Sequence, residues 1–140
     1  MDATVTLDQG MAFHGTASKS GFTLKMDAHP SVGGDGDGFR PLELLLVGLG
    51  GCTSMDVVSI LRKKRQAISG FEVRLHADQA KDFPHVFTDI TIKFIIRGRD
   101  VDPKAVERAI ELSSTKYCSA HIMLEHAATI TSTYEIVDEE

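Results

Sequence analysis

Apolar and polar residues alternate over residues 3–7 (Ala-Thr-Val-Thr-Leu), again from Met11 to Gly15, and again from Phe22 to Met26. Alternation at period two marks a half-buried strand, and Gly10 and Ser20-Gly21 place turn formers between the runs. The start of the chain therefore predicts a three-stranded antiparallel meander. Residues 29–38 (His-Pro-Ser-Val-Gly-Gly-Asp-Gly-Asp-Gly) break the pattern. They hold too much glycine for helix or strand and predict a flexible surface loop. The Asp-x-Asp-Gly fragment resembles part of a calcium loop, but the apolar stretch that follows supplies no glutamate at ligand spacing.

Pro41 suits the first turn of a helix, where its missing N–H costs nothing. From there to about Arg65 the only interruptions are Gly48, Gly50 and Gly51. Leu42, Leu44, Leu45, Leu46, Val47 and Leu49 cover nearly the whole circumference, the signature of a helix buried on all sides. Such a helix would be about 35–40 Å long at 1.5 Å per residue. A chain this small cannot easily surround it alone, so a second subunit is expected to cover part of it.

After Ser69-Gly70, residues Phe71 to Ala77 alternate as a strand with one wet face, and Phe87 to Ile96 form a longer one that Gly98 ends. Asp102-Pro103 then opens an amphipathic helix, with Asp102 as N-cap and an apolar stripe of Val106, Ala109, Ile110 and Ser113. A break near Ser113-Ser114-Thr115 precedes Cys118, Ala120 to Ala127 predict a short helix, and Thr129 to Val137 a terminal strand. The order β-β-β-α-β-β-α-α-β, with strands in blocks, predicts an α+β fold with antiparallel sheets around a long buried central helix. The length, 140 residues, is most simply a single domain over 1–140.

The net charge of −5 removes nucleic acid from the expected partners, because phosphate binding relies on clustered Lys and Arg. The basic run Arg62-Lys63-Lys64-Arg65 falls where cations complement a helix C-terminus. Glu43, Asp56 and the polar positions around Cys52 interrupt the apolar tract, so no membrane span is expected, and the first residues lack the apolar core of a secretory signal. A cytoplasmic setting follows, in which a disulfide would be transient and catalytic or redox-sensing.

Two cysteines then draw attention, Cys52 in Gly-Gly-Cys-Thr-Ser-Met-Asp and Cys118 in Lys-Tyr-Cys-Ser, each expected in a helix. Gly48 and Asp56 lie four residues to either side of Cys52, on its own helical face. Three mid-helix glycines cost about 1 kcal/mol each, a cost accepted for close packing or for access to the thiol. On pattern alone Cys52 is equally a reactive thiol or a small buried hydrophobe. Lys116 beside Cys118 would favour its thiolate, and two thiols in reach suit a cycle of sulfenic acid and disulfide. No Cys-x-x-Cys motif or tight Cys/His cluster is present, and His121 and His126 are five residues apart, off a common helical face, so neither a metal site nor a bound cofactor is expected.

Pro41-Leu42-Glu43-Leu44-Leu45 leading to Gly51-Cys52, with the second cysteine beginning the last third of the chain, resembles the OsmC/Ohr family of osmotically inducible and organic hydroperoxide resistance proteins. Asp56-Val57-Val58-Ser59-Ile60-Leu61 and Lys116-Tyr117-Cys118-Ser119 are similar in particular to its YhfA-like branch. The resemblance implies an intertwined homodimer with the central helices between sheets, and thiol-dependent reduction of organic hydroperoxides. Cys52 would be the peroxidatic cysteine and Cys118 the resolving one, re-reduced by an external dithiol such as a lipoylated protein.

Two departures stand out. The family has a glutamate directly after the proline, where this chain has Leu42 and then Glu43, and residues 1–39 contain no arginine to stabilise the thiolate. Arg40, Lys19 and Lys25 are the candidate replacements, and Glu43 or Asp56 the groups that would orient the site. The alternative expectation is a weakly catalytic redox-sensing or small-ligand-binding protein on the same fold.

Overall fold

The three alternating runs at the start of the chain do pair as a meander. The computed structural model describes residues Met1–Glu140, which divide into two compact units, Met1–Leu45 and Leu46–Glu140. In the first unit β1 (Ala3–Leu7), β2 (Phe13–Ala17) and β3 (Thr23–Met26) form one antiparallel sheet in the order β1-β2-β3, with Val5 opposite Gly15 and Phe13 opposite Met26. Only Ala12 and Asp27 are buried among these 45 residues. Val5, Leu7, Met11, Phe22 and Leu24 are all exposed in the single chain.

The glycine-rich loop, expected to be flexible, is pinned instead. A 3-10 turn at Pro30–Val32 begins it, with the His29 ring accepting the Ser31 N–H. The Asp27 carboxylate accepts the backbone N–H groups of Ala28 (2.7 Å), Asp35 (3.1 Å) and Asp37 (3.2 Å). Lys25 Nζ holds the Asp37 carboxylate at 2.7 Å. The two aspartates that resemble calcium ligands thus serve the loop's own closure. Burial opposes the charge on Asp27, yet the three N–H groups keep its carboxyl below its ordinary value. A lowered carboxyl stabilises the fold above the ordinary value of about 4 and loses that effect as pH falls through the lowered one. Asp27→Ala is expected to strand three N–H groups and lower the melting temperature at neutral pH by roughly 5 °C or more. The gap between variant and parent should then narrow in acid below about pH 4, which thermal melts across pH will check.

Helix α1 (Pro41–Lys63) has Glu43 at its third position, where the side chain accepts the Arg40 N–H at 2.7 Å and caps the helix start. At the other end Arg65 turns left-handed (φ 57°), and Gln66 N–H and Arg65 N–H close back on the carbonyls of Leu61 and Arg62. This is a Schellman stop with arginine where glycine is usual. Leu49, Thr53, Val57 and Leu61, one i+4 row, are buried together with Gly50. The helix is long and apolar enough to cross a membrane by length and composition, but Leu49, Val57 and Leu61 of that row pack into the core of the second unit. Val47 and Met55 lie outside the row and are exposed.

In the second unit β4 (Ala67–Gln79), β5 (Phe87–Arg99) and β6 (Thr129–Asp138) form a sheet with β5 in the middle. Alternation along β5 puts Ile90, Ile92, Phe94 and Ile96 into the core. The expectation of antiparallel sheets holds for β4 against β5 and fails for β6, which runs parallel to β5. The cause is the helical stretch from residue 103 to 124: it forms the crossover that a parallel neighbour requires, where a hairpin would give an antiparallel one.

Both long strands outrun their expected ends. Ser69-Gly70, read as the turn before a strand, is a bulge inside β4, where the register slips between Ile68 and Gly70. Gly98, read as the end of β5, is inside it: a Cβ there would lie 2.3 Å from the Ala67 carbonyl oxygen, so only glycine lets the hairpin close.

Candidate functional site

The elements of the second unit bring three predicted side chains together. Cys52 and Asp56 project from one face of α1, as their i, i+4 spacing requires. Cys118 comes from the far side of α2 (Pro103–Leu112), where the expected break at Ser113 is instead a single turn of π-helix, Ser113–Tyr117. Its wide turn closes with the Cys118 N–H on the Ser113 carbonyl at 2.8 Å. Cys118 is therefore in extended geometry between two helical segments, as the N-cap of α3 (Ser119–Leu124), and not within a helix as expected. Both cysteines are free thiols, and Cys52 Sγ, Cys118 Sγ and a carboxylate oxygen of Asp56 all lie within 4.8 Å of one another.

Burial divides the two thiols. Cys118 is fully buried and Cys52 half-buried. Burial above all, and then the neighbouring Cys52 thiol, push the Cys118 thiol up to about 12, against the His121 N–H that its sulfur accepts at 3.3 Å. The expectation that Lys116 would favour a Cys118 thiolate is overturned: that ammonium sits over the Tyr117 ring, 5.2 Å from its centre, while the sulfur faces the core. Cys118 is thus a protonated thiol at neutral pH. His121 is buried too, and burial pushes its imidazole below its ordinary value against the pull of Glu125, 3.6 Å away.

Two hydroxyls complete the site. Ser113 Oγ donates to Asp56 Oδ2 at 3.0 Å, and Thr53 Oγ1 lies 2.9 Å from Ser113 Oγ. Ser113 has one proton and gives it to the carboxylate, so Thr53 donates to Ser113 and the chain runs Thr53 to Ser113 to Asp56. Thr53 and Ser113 are both buried, and this chain fixes the carboxylate beside the sulfurs. Sequence reading left out both hydroxyls. The available signal was Ser113, a polar residue on the apolar stripe of α2.

The three helix glycines separate by purpose. A Cβ on Gly50 would meet Leu75 Cδ1 at 2.7 Å, so Gly50 lets α1 approach β4. Added at Gly48 or Gly51, it meets nothing within 4 Å, which leaves open space beside Cys52. Next to the site a groove of about 360 Å³ is lined by Asp56, Ser59, Ile60, Lys63, Lys64, Leu112 and Tyr117.

The other predicted residues serve locally in the first unit. Glu43 caps α1, Arg40 Nη1 donates to the Gly38 carbonyl at 3.0 Å, and Lys25 is paired with Asp37. Lys25, Gly38, Phe39, Arg40 and Glu43 also line one hollow of that unit, with Leu24.

Residues 34–133 match the family described as OsmC-like protein. Protein YhfA of Escherichia coli K12 is 44% identical over 138 residues, 98% of each chain. Among solved structures, a hypothetical protein from Aquifex aeolicus VF5 is 30% identical, covering 99% of this chain and 97% of its own, with a TM-score of 0.86. An organic hydroperoxide resistance protein OsmC from Legionella pneumophila shares the fold at 12% identity and a TM-score of 0.73, over 96% of this chain and 95% of its own. With two neighbouring cysteines on this fold, 44% identity along nearly its whole length and a family match over residues 34–133, the chain belongs to the OsmC-like family.

Proposed function

We propose that the protein is a thiol peroxidase that reduces organic hydroperoxides through Cys52 and Cys118. The observation that carries this reading is the pairing of a half-buried thiol with a fully buried thiol, their sulfurs within 4.8 Å. The name of the Legionella structural neighbour points the same way. The Cys52 thiolate attacks the outer peroxide oxygen and the O–O bond breaks. An alcohol leaves with a proton, and Cys52 becomes a sulfenic acid. The Cys118 sulfur then attacks the Cys52 sulfur and water leaves, so one peroxide is reduced by two electrons and two thiols become a disulfide. Asp56 is the acceptor in reach for the Cys118 proton. An external dithiol, of the lipoylated-protein kind, restores both thiols; no bound cofactor takes part.

The same reading has the protein act as a homodimer in the cytoplasm. The first unit buries almost nothing of its own, and a hollow of about 360 Å³ lined by Val5, Met11, Phe13, Met26, Asp27, Ala28 and Pro41 exposes almost only apolar atoms. A second copy is the cover that fits, since a chain of 45 residues has no core to spare.

Asp56 favours a second reading, a redox sensor that oxidises without rapid turnover, because a carboxylate beside the sulfurs disfavours thiolates. Steady-state consumption of tert-butyl hydroperoxide with dithiothreitol or lipoamide separates the two: fast turnover supports the peroxidase, and oxidation limited to one equivalent supports the sensor. Cys118→Ser is expected to leave a sulfenic acid on Cys52 that dimedone traps in nearly every chain after one equivalent of peroxide, read by intact mass. An unlabelled variant that still consumes peroxide would refute the resolving role.

A further inference from the structure

We infer that Cys52, Cys118 and Asp56 also form a binding site for a thiophilic divalent cation of the zinc class, which locks the reduced pair. The inference uses the side chains of the peroxidase reading but does not depend on turnover. Zinc takes thiolate sulfur at about 2.3 Å and carboxylate oxygen at about 2.0–2.2 Å in tetrahedral array, which sets S···S near 3.8 Å and S···O near 3.6 Å. The three donors here lie within 4.8 Å of one another, so closing on an ion asks for movements of about 1 Å at most. A disulfide, at about 2.05 Å, asks the sulfurs to approach much further. The reduced site is therefore closer in shape to a metal site than to its own oxidised form.

The surroundings fit the same purpose. Metal ligands are held by partners of their own, and here the Ser113 hydroxyl holds the Asp56 carboxylate while the His121 N–H points at the Cys118 sulfur. The Ser113 bond is itself backed by buried Thr53. A carboxylate aimed at two thiols opposes a thiolate pair when alone, and becomes a third ligand once a cation is present. Two sulfurs exclude calcium and magnesium, and sulfur with carboxylate suits zinc. Asp56 also lines the groove, which gives an ion a way in and leaves a water the fourth position. Binding displaces the two thiol protons and leaves a net charge of −1, with Lys63 and Lys64 on the groove wall. With both sulfurs donating a pair to the metal, each is a weaker nucleophile than a free thiolate, so occupancy slows the first step.

The test uses the full chain, reduced and without oxygen or peroxide, titrated with Co²⁺ as a spectroscopic probe and then with Zn²⁺ in competition. One equivalent per chain should produce thiolate-to-cobalt charge-transfer absorbance, which Zn²⁺ removes. Cys52→Ser and Cys118→Ser should each lose at least half of that absorbance, and Asp56→Asn, which keeps the Ser113 bond, should weaken binding at least tenfold. In the unaltered protein Zn²⁺ should slow alkylation of Cys52 at least tenfold, a reading that needs no variant to fold. Absence of charge transfer, charge transfer that survives loss of either cysteine, or unprotected alkylation overturns the site. A protein that binds the ion but consumes no hydroperoxide would refute the peroxidase and leave this site standing.

Discussion

Cys52→Ser is expected to lower hydroperoxide consumption by at least about a thousandfold while leaving the fold intact. The exchange replaces one chalcogen by another at a half-buried helix position, so packing hardly changes. What changes is the nucleophile. A serine hydroxyl is not ionised near neutral pH, and its oxygen attacks peroxide oxygen poorly, whereas a thiolate does so readily. Cys118 cannot take over, because burial keeps its thiol protonated up to about 12 and out of contact with solvent. The measurement is consumption of tert-butyl hydroperoxide with a dithiol in excess, beside a thermal melt. The melting free energy should stay within about 0.5 kcal/mol of the parent. Turnover at the parent's rate in a folded variant would remove Cys52 from the chemistry altogether.

Phe94→Ala is expected to cost about 3–5 kcal/mol of stability and to lower the melting temperature by roughly 10 °C or more. Phe94 sits in the middle strand of the second sheet, opposite Val73 on one side and Tyr134 on the other. It is 1% exposed, and its ring centre lies 6.1 Å from that of Phe71 at a tilt of 58°. Truncation removes the largest buried side chain of the core and leaves a hollow between strands that the sheet's hydrogen bonds prevent from collapsing. Lys93 provides the contrast one residue away, on the wet face, in an exposed pair with Glu135 at 2.9 Å. Lys93→Ala should cost less than about 1 kcal/mol. Chemical denaturation of both variants checks the pair, and a Phe94→Ala loss under 1 kcal/mol would mean that the core relaxes around the hollow.

These two neighbours show why so much of the fold was legible. Period-two alternation along residues 87–96 is a local consequence of strand geometry, so the inward set Ile90, Ile92, Phe94 and Ile96 follows from order alone. Asp102 and Pro103 likewise mark the start of α2 by their own backbone chemistry, with the Asp102 carboxylate accepting the Lys104 N–H at 3.0 Å. The glycines misled where their role was long-range. Gly98 reads as a strand end because glycine is a turn former, while its actual task is to admit the Ala67 carbonyl from another strand. The parallel pairing of β6 and β5 was equally hidden, because pairing direction depends on the path of the crossover and not on residues of either strand.

The site divides in the same way. By itself the sequence determined the two thiols, the face that Cys52 shares with Asp56, and the family pattern that singles them out, since all three depend on residue type and helical spacing. Only the tertiary structure decided that Cys118 comes within 4.8 Å of them, that it is the buried member of the pair, and that Ser113 and Thr53 hold Asp56 in place. Those relations join α1 to a π-turn some sixty residues downstream. They are set by how helix and sheet pack, through burial and unpaired hydrogen-bonding groups that no stretch of chain carries within itself.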